Sequence, residues 1–339
     1  MKLSIIVPLY NVEKYVASCI ESLLNQNLDA SDYEILIIDD GSTDNSIPIV
    51  KKFEQAHSNI YVHSQENAGV GSARNKGIDL AKGKYIYFID PDDYLASNVL
   101  EPILNHIETH NLQVLTFSST GTTLTDLYVS GSNNYQSFPV NKMHGMDYIG
   151  AFRYKNEVWW YMIERAFLKD LELKFIEGRW MEDAIFTTTL FINTLRMAHV
   201  PIDAHRHVKV EGSAMTSKEP KHYIQVIYDN GHAAQVFNKL IEEVSRSKNT
   251  NLKCLKRLRT RQQSFVFFMM VRILKSRMLF KDVKAVVNNM VEVGAYPLNK
   301  FIGDDYNGLV YRFITKLFNV EPLYLFLFLI LNPFFKAKN

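Results

Sequence analysis

Short apolar runs alternate with amphipathic segments over the first part of the chain. The runs are rich in Ile, Leu, Val and Tyr, and they occupy residues 3–7, 34–38, 60–63, 84–89 and 114–117. Between the first two runs, Val16, Ile20, Leu23 and Leu24 recur at helical spacing, with Asn11 as the expected N-cap. The pattern predicts buried strands that are joined by helices.

Continuous apolar strands with helical connections are typical of a mostly parallel sheet that helices cover on both faces. Crossovers in such sheets are right-handed, and ligands bind beyond the carboxyl ends of the strands. Polar groups follow three of the predicted strands, as Tyr10-Asn11, Asp39-Asp40 and residues 90–93. The sequence therefore predicts an α/β, Rossmann-like fold in which these groups converge on one crevice.

The later part of the chain changes character twice. Residues 118–142 are rich in Ser, Thr, Gly and Asn, which predicts a loop or an irregular hairpin. Residues 145–212 resume mixed structure, and the pattern is helical from about residue 219. We therefore expect one domain that carries the crevice over residues 1–215 and a helical C-terminal extension over residues 216–339.

Composition narrows the class of protein. The chain has 339 residues, 47% of them hydrophobic and 22% charged, which is enough for a sizeable core. A formal net charge of only +2 gives no reason to expect a nucleic-acid partner. Cys19 and Cys254 are far apart, so we expect neither a disulfide framework nor a zinc site. Because the first residues favour a strand over a signal peptide, we expect a cytoplasmic location.

Three carboxylates, Asp90, Asp92 and Asp93, directly follow the fourth apolar run. Carboxylates at the end of a buried strand are unfavourable unless something neutralises them. Their oxygens suit Mg²⁺ or Mn²⁺, and a metal with an open side can bind a diphosphate. We therefore favour metal binding over a surface turn with helix caps.

Two other polar groups leave alternatives open. Asp39 or Asp40 can accept a hydrogen bond from a pyrimidine N–H, although aspartate-rich turns are equally common. Residues 66–75 open the third predicted helix, where Gly69 lets the backbone approach an anion and Arg74 can reach a phosphate or the carboxylates. Alone, this segment is a weak signal because it does not match GxGxxG.

Glu182-Asp183 and His205-Arg206-His207 are further candidates for chemistry. A carboxylate at the start of a predicted helix can act as a general base, but acidic first turns more often simply stabilise the helix dipole. His207 can complete a metal shell or meet a phosphate. A half-exposed strand histidine is the slightly favoured alternative.

The C-terminal part has features of a membrane-binding region. A basic cluster comprises Lys253, Lys256, Arg257, Arg259 and Arg261. The intensely apolar run at residues 323–331 is far short of the ~20 residues that span a bilayer. These segments could lie on an anionic membrane. An ordinary helical core with a solvated basic face explains them equally well.

Taken together, four motifs resemble the family-2 glycosyltransferases with the glycosyltransferase-A fold. They are SIIVPLYN at residues 4–11, IDDGSTD at 38–44, NAG with ARNKG within 67–77, and YFIDPDD at 87–93. The resemblance is strong over residues 1–115. It is weaker over 145–215, where Glu182-Asp183 and Gly212-Ser213 carry it.

The resemblance implies a nucleotide-sugar donor, most often a UDP-sugar, and inversion at the anomeric carbon. It places Pro8, Tyr10 and Glu13 at the nucleoside, Asp40 at the uracil and Arg74 near the nucleotide. The nucleotide-sugar site that we predict comprises Pro8, Tyr10, Asn11, Glu13, Asp39, Asp40, Asn67, Gly69, Arg74, Asp90, Pro91 and Asp92.

The resemblance also assigns the chemistry. Asp90 and Asp92 match the family's DxD motif, with Asp92 the better direct ligand for Mn²⁺ or Mg²⁺, and Asp183 matches the catalytic base. His207 is the third metal ligand that we predict. Trp159, Trp160, Tyr161 and Trp180 are candidates for stacking on an acceptor sugar, although such aromatic runs are more often core.

The QxxRW motif and multiple membrane spans of processive polysaccharide synthases are absent from the sequence, which favours the addition of a single sugar. We expect a glycan or lipid-linked glycan acceptor in surface polysaccharide synthesis, at the inner face of the cell membrane, with peripheral contact to anionic lipid. One alternative is a nucleotidyltransferase, which would need a glycine-rich basic loop where residues 8–11 stand. Another is a catalytically silent nucleotide-sugar or membrane-binding module, against which intact Asp92 and Asp183 argue.

Overall fold

The computed structural model describes residues 1–132, 138–209, 219–247, 251–303 and 305–336. The chain divides into two compact units. The first is Met1–Tyr148 with Lys155–Glu211, and the second is Ile149–Tyr154 with Gly212–Asn339. The predicted boundary at residue 215 and the motif Gly212-Ser213 lie outside the described residues.

The first unit contains a sheet of eight strands. They are β1 (Leu3–Leu9), β2 (Tyr33–Asp39), β3 (Ile60–Ser64), β4 (Tyr85–Phe88), β5 (Tyr94–Leu95), β6 (Val114–Thr122), β7 (Tyr161–Glu164) and β8 (Met197–Val208). Their spatial order is β3-β2-β1-β4-β7-β6-β8-β5. The pairs β1–β2, β1–β4, β2–β3 and β6–β8 are parallel, whereas β7 is antiparallel to both neighbours and β5 is antiparallel to β8. The predicted mostly parallel α/β sheet is confirmed.

Helices connect these strands. They are α1 (Val16–Leu24), α2 (Ser46–Ala56), α3 (Val70–Leu80), α4 (Leu100–Thr109), α5 (Gly145–Ala151), α6 (Arg165–Asp170) and α7 (Glu182–Asn193). Every residue of β1, β2 and β4 is buried, as expected of strands that are covered on both faces. Since β1, β2 and β4 run in parallel, the residues that follow them lie at the same edge of the sheet.

Pro8 stands in central strand β1, where a missing N–H would normally disrupt a ladder. Pro8 disrupts no hydrogen bond between β1 and β4, because β4 pairs with β1 only as far as Ile6. Pro8 therefore lies beyond the β4 pairing, at the carboxyl edge where the polar residues gather.

Two local expectations were wrong. Asn11 does not cap α1, which begins only at Val16. Its side-chain oxygen instead accepts hydrogen bonds from the Thr43 and Asp44 amides, at 2.8 and 3.3 Å. Strand β6 also continues to Thr122, into the segment predicted as a loop, because its parallel pairing with β8 extends to Val208. Both features depend on partners that are distant in sequence.

The second unit contains five long helices among its described residues. They are α8 (Pro220–Arg246), α9 (Leu252–Leu274), α10 (Phe280–Glu292), α11 (Leu309–Phe318) and α12 (Glu321–Lys336). Its core is aromatic: the Phe267 ring stacks on Phe301 at 4.3 Å, and the Phe237 ring packs edge-on against Phe265 at 5.1 Å.

The expectation that Arg257 and Arg261 would attract lipid headgroups was wrong. Arg257 lies almost wholly inside this unit and forms an ion pair with Asp305 at 3.0 Å. Arg261 donates to the Tyr154 carbonyl at 2.8 Å and lies over the Tyr154 ring. Both guanidiniums are committed to internal partners and are therefore removed from the surface.

Within the described ranges, no single helix is long and apolar enough to cross a membrane. The helices α11 and α12 pass that test only as a pair, and the pair is bent by 98°.

An ion pair fixes strand β8. Arg206 is fully buried, and its two terminal nitrogens lie 2.9 and 3.0 Å from the two carboxylate oxygens of Asp203. Its remaining donors reach the carbonyls of Leu127 and Val129 in the loop after β6. Arg206 thus holds this loop against the strand that carries His205 and His207.

Replacing Asp203 with Ala should leave the Arg206 charge buried and uncompensated. Removing one partner of such a pair costs about 3 kcal/mol or more of stability, so the urea midpoint of the purified protein should fall markedly. Asp126→Ala, in the same loop but exposed, is the control and should have little effect. Equal, small changes in both variants would contradict this role for Arg206.

Candidate functional site

Asp93, the last of the carboxylates after β4, is a structural anchor. It is buried, accepts a hydrogen bond from the Val208 amide at 2.8 Å, and has Oδ2 3.2 Å from His205 Nε2 and 3.3 Å from His207 Nδ1. Burial opposes ionisation, yet the contacts with the two histidines hold the pKa of Asp93 below its ordinary value. Asp93 therefore fixes residues 90–93 to β8.

Asp92, unlike Asp93, has a pKa above its ordinary value. It is partly buried, and burial together with the charges of Asp90 and Asp93 raises its pKa to about 7. His207 is half exposed, and its hydrogen bond to Asp93 raises the imidazole pKa despite partial burial. A cation placed here would relieve the unfavourable ionisation of Asp92.

The predicted metal ligands can be tested against this geometry. In the part of the chain that the structure describes, no group of three or more His, Cys, Asp or Glu side chains forms a metal site by itself. Mg²⁺ is usually held by one or two carboxylates together with substrate phosphates rather than by an all-protein cage. Asp92 and Asp90 are carboxylates of the kind that such a site needs, and a bound diphosphate would complete it. Among the described residues, His207 does not join them in a three-ligand group.

Arg74 joins two carboxylates from different parts of the chain. It is buried on α3, with Nη2 2.9 Å from Asp90 Oδ1 and Nη1 3.0 Å from Glu182 Oε1. Burial disfavours the guanidinium charge, but the adjacent carboxylates raise the pKa of Arg74 above its ordinary value. The bridge brings the end of β4 and the start of α7 into one cluster.

The start of α7 carries the predicted base, Asp183. Burial, and then the charge of neighbouring Glu182, raise the pKa of Asp183 to about 7. Met181, directly before the helix, has a left-handed backbone (φ 68°), which is uncommon for a residue other than glycine and is often found at functional sites. Asp183 is thus partly protonated at neutral pH, as suits a group that exchanges a proton with a substrate.

Asp39 and Asp40 end β2 and organise the adjacent loops. Asp39 accepts from the Ser42 amide at 3.0 Å. The carboxylate of Asp40 accepts from the Gln65 side chain at 2.8 Å and from the amides of Ala68 and Gly69 at 2.9 and 2.8 Å. A carboxylate has about four lone-pair positions, so Asp40 keeps about one for a nucleobase.

The loop before α3 is held from the same strand. Asn67 donates its side-chain N–H to the Asp40 carbonyl at 2.9 Å. Gly69 precedes the helix at φ 91°, a conformation that glycine adopts without strain. These predicted nucleotide-binding residues therefore set where α3 begins, and thereby where Arg74 lies.

The loop after β1 lies beside the loop after β2. The Glu13 carboxylate accepts from the Asn45 amide at 2.8 Å, and the Asp44 carboxylate accepts from the Glu13 amide at 3.0 Å. Tyr10 is half exposed, so its ring is free to meet a ligand. Asn11 and Glu13 act here as loop-to-loop ties.

The aromatic residues proposed for acceptor stacking are mostly internal. Trp160 and Tyr161 are buried against Phe191, so the stacking hypothesis is wrong for these two rings. Trp159 is also buried, with its ring parallel to that of His205 at 4.2 Å. Trp159 therefore packs behind His205 and leaves little surface for a sugar.

Sequence reasoning missed two parts of this site. It treated Glu182 only as a companion of Asp183, and it gave His205 no separate role. The alternation along β8 could have indicated that His205 and His207 point to the same face. Nothing local indicated that Arg74 would pair with Glu182, which is 108 positions away.

Solved structures share the fold of this chain. The crystal structure of S. aureus TarS 1-349 in complex with UDP-GlcNAc has a TM-score of 0.58 over 88% of this chain and 91% of that one, at 22% identity. The mannosyltransferase PcManGT from Pyrobaculum calidifontis, in complex with GDP-Man and Mn²⁺, has a TM-score of 0.53 over 99% and 88%, at 15% identity. The fold is thus that of the glycosyltransferase-A type.

Sequence comparison gives the family. Residues 4–163 match the model of "Glycosyl transferase family 2". The chain is 32% identical over 222 residues to the uncharacterized glycosyltransferase YibD of Escherichia coli, an alignment that covers 61% of each protein. It is 28% identical over 254 residues to the poly(ribitol-phosphate) beta-N-acetylglucosaminyltransferase TarS of Staphylococcus aureus, covering 73% of this chain and 43% of TarS. The match over residues 4–163 confirms the predicted resemblance to the family-2 glycosyltransferases.

The raised pKa of Asp183 predicts how the stability of the folded protein depends on pH. The folded state prefers the protonated carboxyl, so stability should fall as pH rises from about 4, the unfolded pKa, to about 7. Asp183→Asn should remove this loss, and we expect the variant to be more stable than wild type by on the order of 2 kcal/mol at pH 8.

Urea unfolding at pH 5 and pH 8 measures this difference. Asp170→Asn, at an exposed carboxylate, is the control and should follow wild type at both pH values. If Asp183→Asn were less stable than wild type at pH 8, the assigned burial of an ionisable Asp183 would be wrong.

Proposed function

We propose that the chain is an inverting glycosyltransferase that moves one sugar from a nucleotide-sugar, a UDP-sugar in particular, to a hydroxyl group. The observation that carries this proposal is the Arg74 bridge. It holds Asp90 of the Asp90-Pro91-Asp92 motif and Glu182, next to Asp183, at 2.9 and 3.0 Å from one guanidinium. The bridge thereby brings the carboxylates suited to a diphosphate close to the carboxylate suited to proton transfer.

The donor side of the reaction is assigned to the carboxylates after β4. Asp92 and Asp90, together with the donor diphosphate, would hold Mn²⁺ or Mg²⁺, which would supply charge neutralisation at the departing diphosphate. Pro91 fixes the backbone between the two aspartates. The Mn²⁺ in the structure of PcManGT supports this choice of cofactor.

The nucleoside is assigned to the loops after β1 and β2. The half-exposed Tyr10 offers a ring for the base, and Asp40 offers its remaining lone pair to the uracil N–H. Pro8, Asn11 and Glu13 shape the first loop. In the second, Asp39 holds the turn at Ser42, while Asn67 and Gly69 place the backbone near the nucleotide. The UDP-GlcNAc complex of TarS supports UDP as the nucleotide.

Asp183 acts on the acceptor side. Its carboxylate takes the proton from the acceptor hydroxyl as that oxygen attacks the anomeric carbon. The bond between that carbon and the diphosphate oxygen breaks on the opposite face, and UDP leaves. A pKa of about 7 lets Asp183 accept this proton at neutral pH and release it between turnovers.

The acceptor is a glycan or a lipid-linked glycan of the cell surface, and transfer takes place at the cytoplasmic face of the cell membrane. The match to TarS, a poly(ribitol-phosphate) beta-N-acetylglucosaminyltransferase, supports a surface polymer as the product.

Replacing Asp183 with Asn should lower turnover by about 10² to 10⁴, because a positioned general base contributes that much. UDP release can be measured with the UDP-sugar that gives the largest thermal shift. UDP affinity should not change, since Asp183 acts on the acceptor. Asp170→Asn should behave as wild type, and an Asp183→Asn enzyme with normal turnover would exclude the assigned base.

Replacing Asp92 with Asn should remove the dependence of UDP binding on Mn²⁺. Neutralising a metal ligand removes charge stabilisation of several kcal/mol, whereas the contacts to the nucleoside remain. Calorimetric titration with UDP, with and without Mn²⁺, measures this. A variant whose UDP affinity still rises with Mn²⁺ as in wild type would rule out Asp92 as a ligand.

A further inference from the structure

The outward side of helix α12 is apolar. Its two polar mid-helix side chains point inward: Tyr324 is 0% exposed and donates to the Met270 carbonyl at 3.0 Å, and Asn332 is 6% exposed and donates to the Ser276 carbonyl at 2.8 Å. Its outward side chains are apolar, with Phe326 56% and Phe334 69% exposed. Residues 322–334 contain no charged residue. A helix that faces water would show the opposite pattern.

Other large apolar side chains of this unit are also exposed. On α11, Leu309, Val310 and Phe313 are exposed, the last at 68%. At the start of α10, Leu279 and Phe280 are exposed, and the Phe280 ring stacks on Phe328 of α12 at 6.5 Å. The apolar surface is defined by Leu279, Phe280, Leu309, Val310, Phe313, Leu323, Phe326, Leu329, Ile330 and Phe334. It contains several large exposed side chains, more than the scattered apolar residues of an ordinary surface.

The charges around the apolar surface are mostly positive. Arg312 and Lys316 are exposed on α11, and Lys275 and Lys281 are exposed near the 279–280 corner. Over residues 309–339 the sequence has four basic residues and one acidic residue. Exposed aromatic and aliphatic side chains with basic residues beside them are the pattern of a protein that binds the surface of an anionic bilayer.

We propose that the apolar surface docks on an anionic lipid bilayer, with Phe313, Phe326 and Phe334 in the interface and Arg312 and Lys316 at the headgroups. The inward hydrogen bonds of Tyr324 and Asn332 keep one side of α12 on its own unit, so the helix contributes only its outward side. The inference goes beyond the proposed function, because it concerns a surface that takes no part in sugar transfer.

A second copy of the chain is the other occupant to consider. A symmetric contact places the same patch on both subunits. Both of the patches that meet would then carry the positive charges of Arg312 and Lys316, and like charges in an interface are unfavourable. Acidic headgroups complement these charges instead, so the bilayer is favoured.

The test is co-sedimentation of the full-length protein, without substrate, with phosphatidylcholine vesicles that contain or lack phosphatidylglycerol. Wild type should bind the anionic vesicles, and salt should weaken binding because exposed charges are screened. Phe313→Ser/Phe326→Ser/Phe334→Ser should reduce the partition coefficient by more than about 100-fold. Arg312→Gln/Lys316→Gln should reduce it by about 25-fold, at about fivefold per charge.

Two control variants use exposed residues elsewhere. Leu252→Ser matches the apolar change, and Lys256→Gln/Arg259→Gln on α9 matches the charge change. Both should bind as wild type, and all variants should keep wild-type hydrolysis of the UDP-sugar in solution. If the triple variant is unstable in urea, Phe326→Ser alone should still lose about tenfold in binding.

Failure of wild type to bind anionic vesicles would overturn the proposal, as would unchanged binding by the phenylalanine variant or an equal loss in the α9 control. A phenylalanine variant that turns a dimer into a monomer without changing vesicle binding would overturn it in favour of a second copy. None of these results depends on whether the sugar is transferred.

Discussion

A single buried charge, the Arg74 guanidinium, is the constraint on which the site depends. Asp90, Glu182 and Asp183 would repel one another in a partly desolvated crevice without it. The position of Arg74 is in turn set by β2, because Asp40 binds the amides that lead into α3. A chain of contacts therefore runs from Asp40 through α3 to Arg74, and from there to both carboxylate groups. The polar residues at the strand ends are thus parts of one electrostatic arrangement.

The environment of each carboxylate separates its role from those of the others. Asp93 and Asp40 each accept hydrogen bonds from backbone amides and hold backbone segments in place. Asp92 and Asp183 have pKa values that burial and neighbouring charges raise to about 7. Groups in this second state gain most from a cation or an acceptor proton, which is why the proposed chemistry falls on them.

Local sequence patterns were sufficient for strands β1 to β4 and β6 with helices α1 to α4, and for the three polar groups at the carboxyl edge. These follow from period and position alone, since a parallel sheet places its strand ends together. What could not be predicted depends on distant partners: the Arg74–Glu182 pair, the hydrogen bonds of Arg206 to Leu127 and Val129, and the burial of Arg257 by Asp305. The same limit applies to α12, whose composition predicted an apolar segment but not which side faces outward.

The proposed sugar transfer is a single displacement, in which the acceptor oxygen attacks the anomeric carbon opposite the leaving diphosphate. Proton NMR during hydrolysis of a UDP-sugar tests it without a known acceptor, because water then takes the acceptor's place. For a donor whose sugar is α-linked to the diphosphate, the first product should be the β-anomer, which mutarotates only later. Initial appearance of the α-anomer would contradict the single displacement and the assignment of Asp183 as its base.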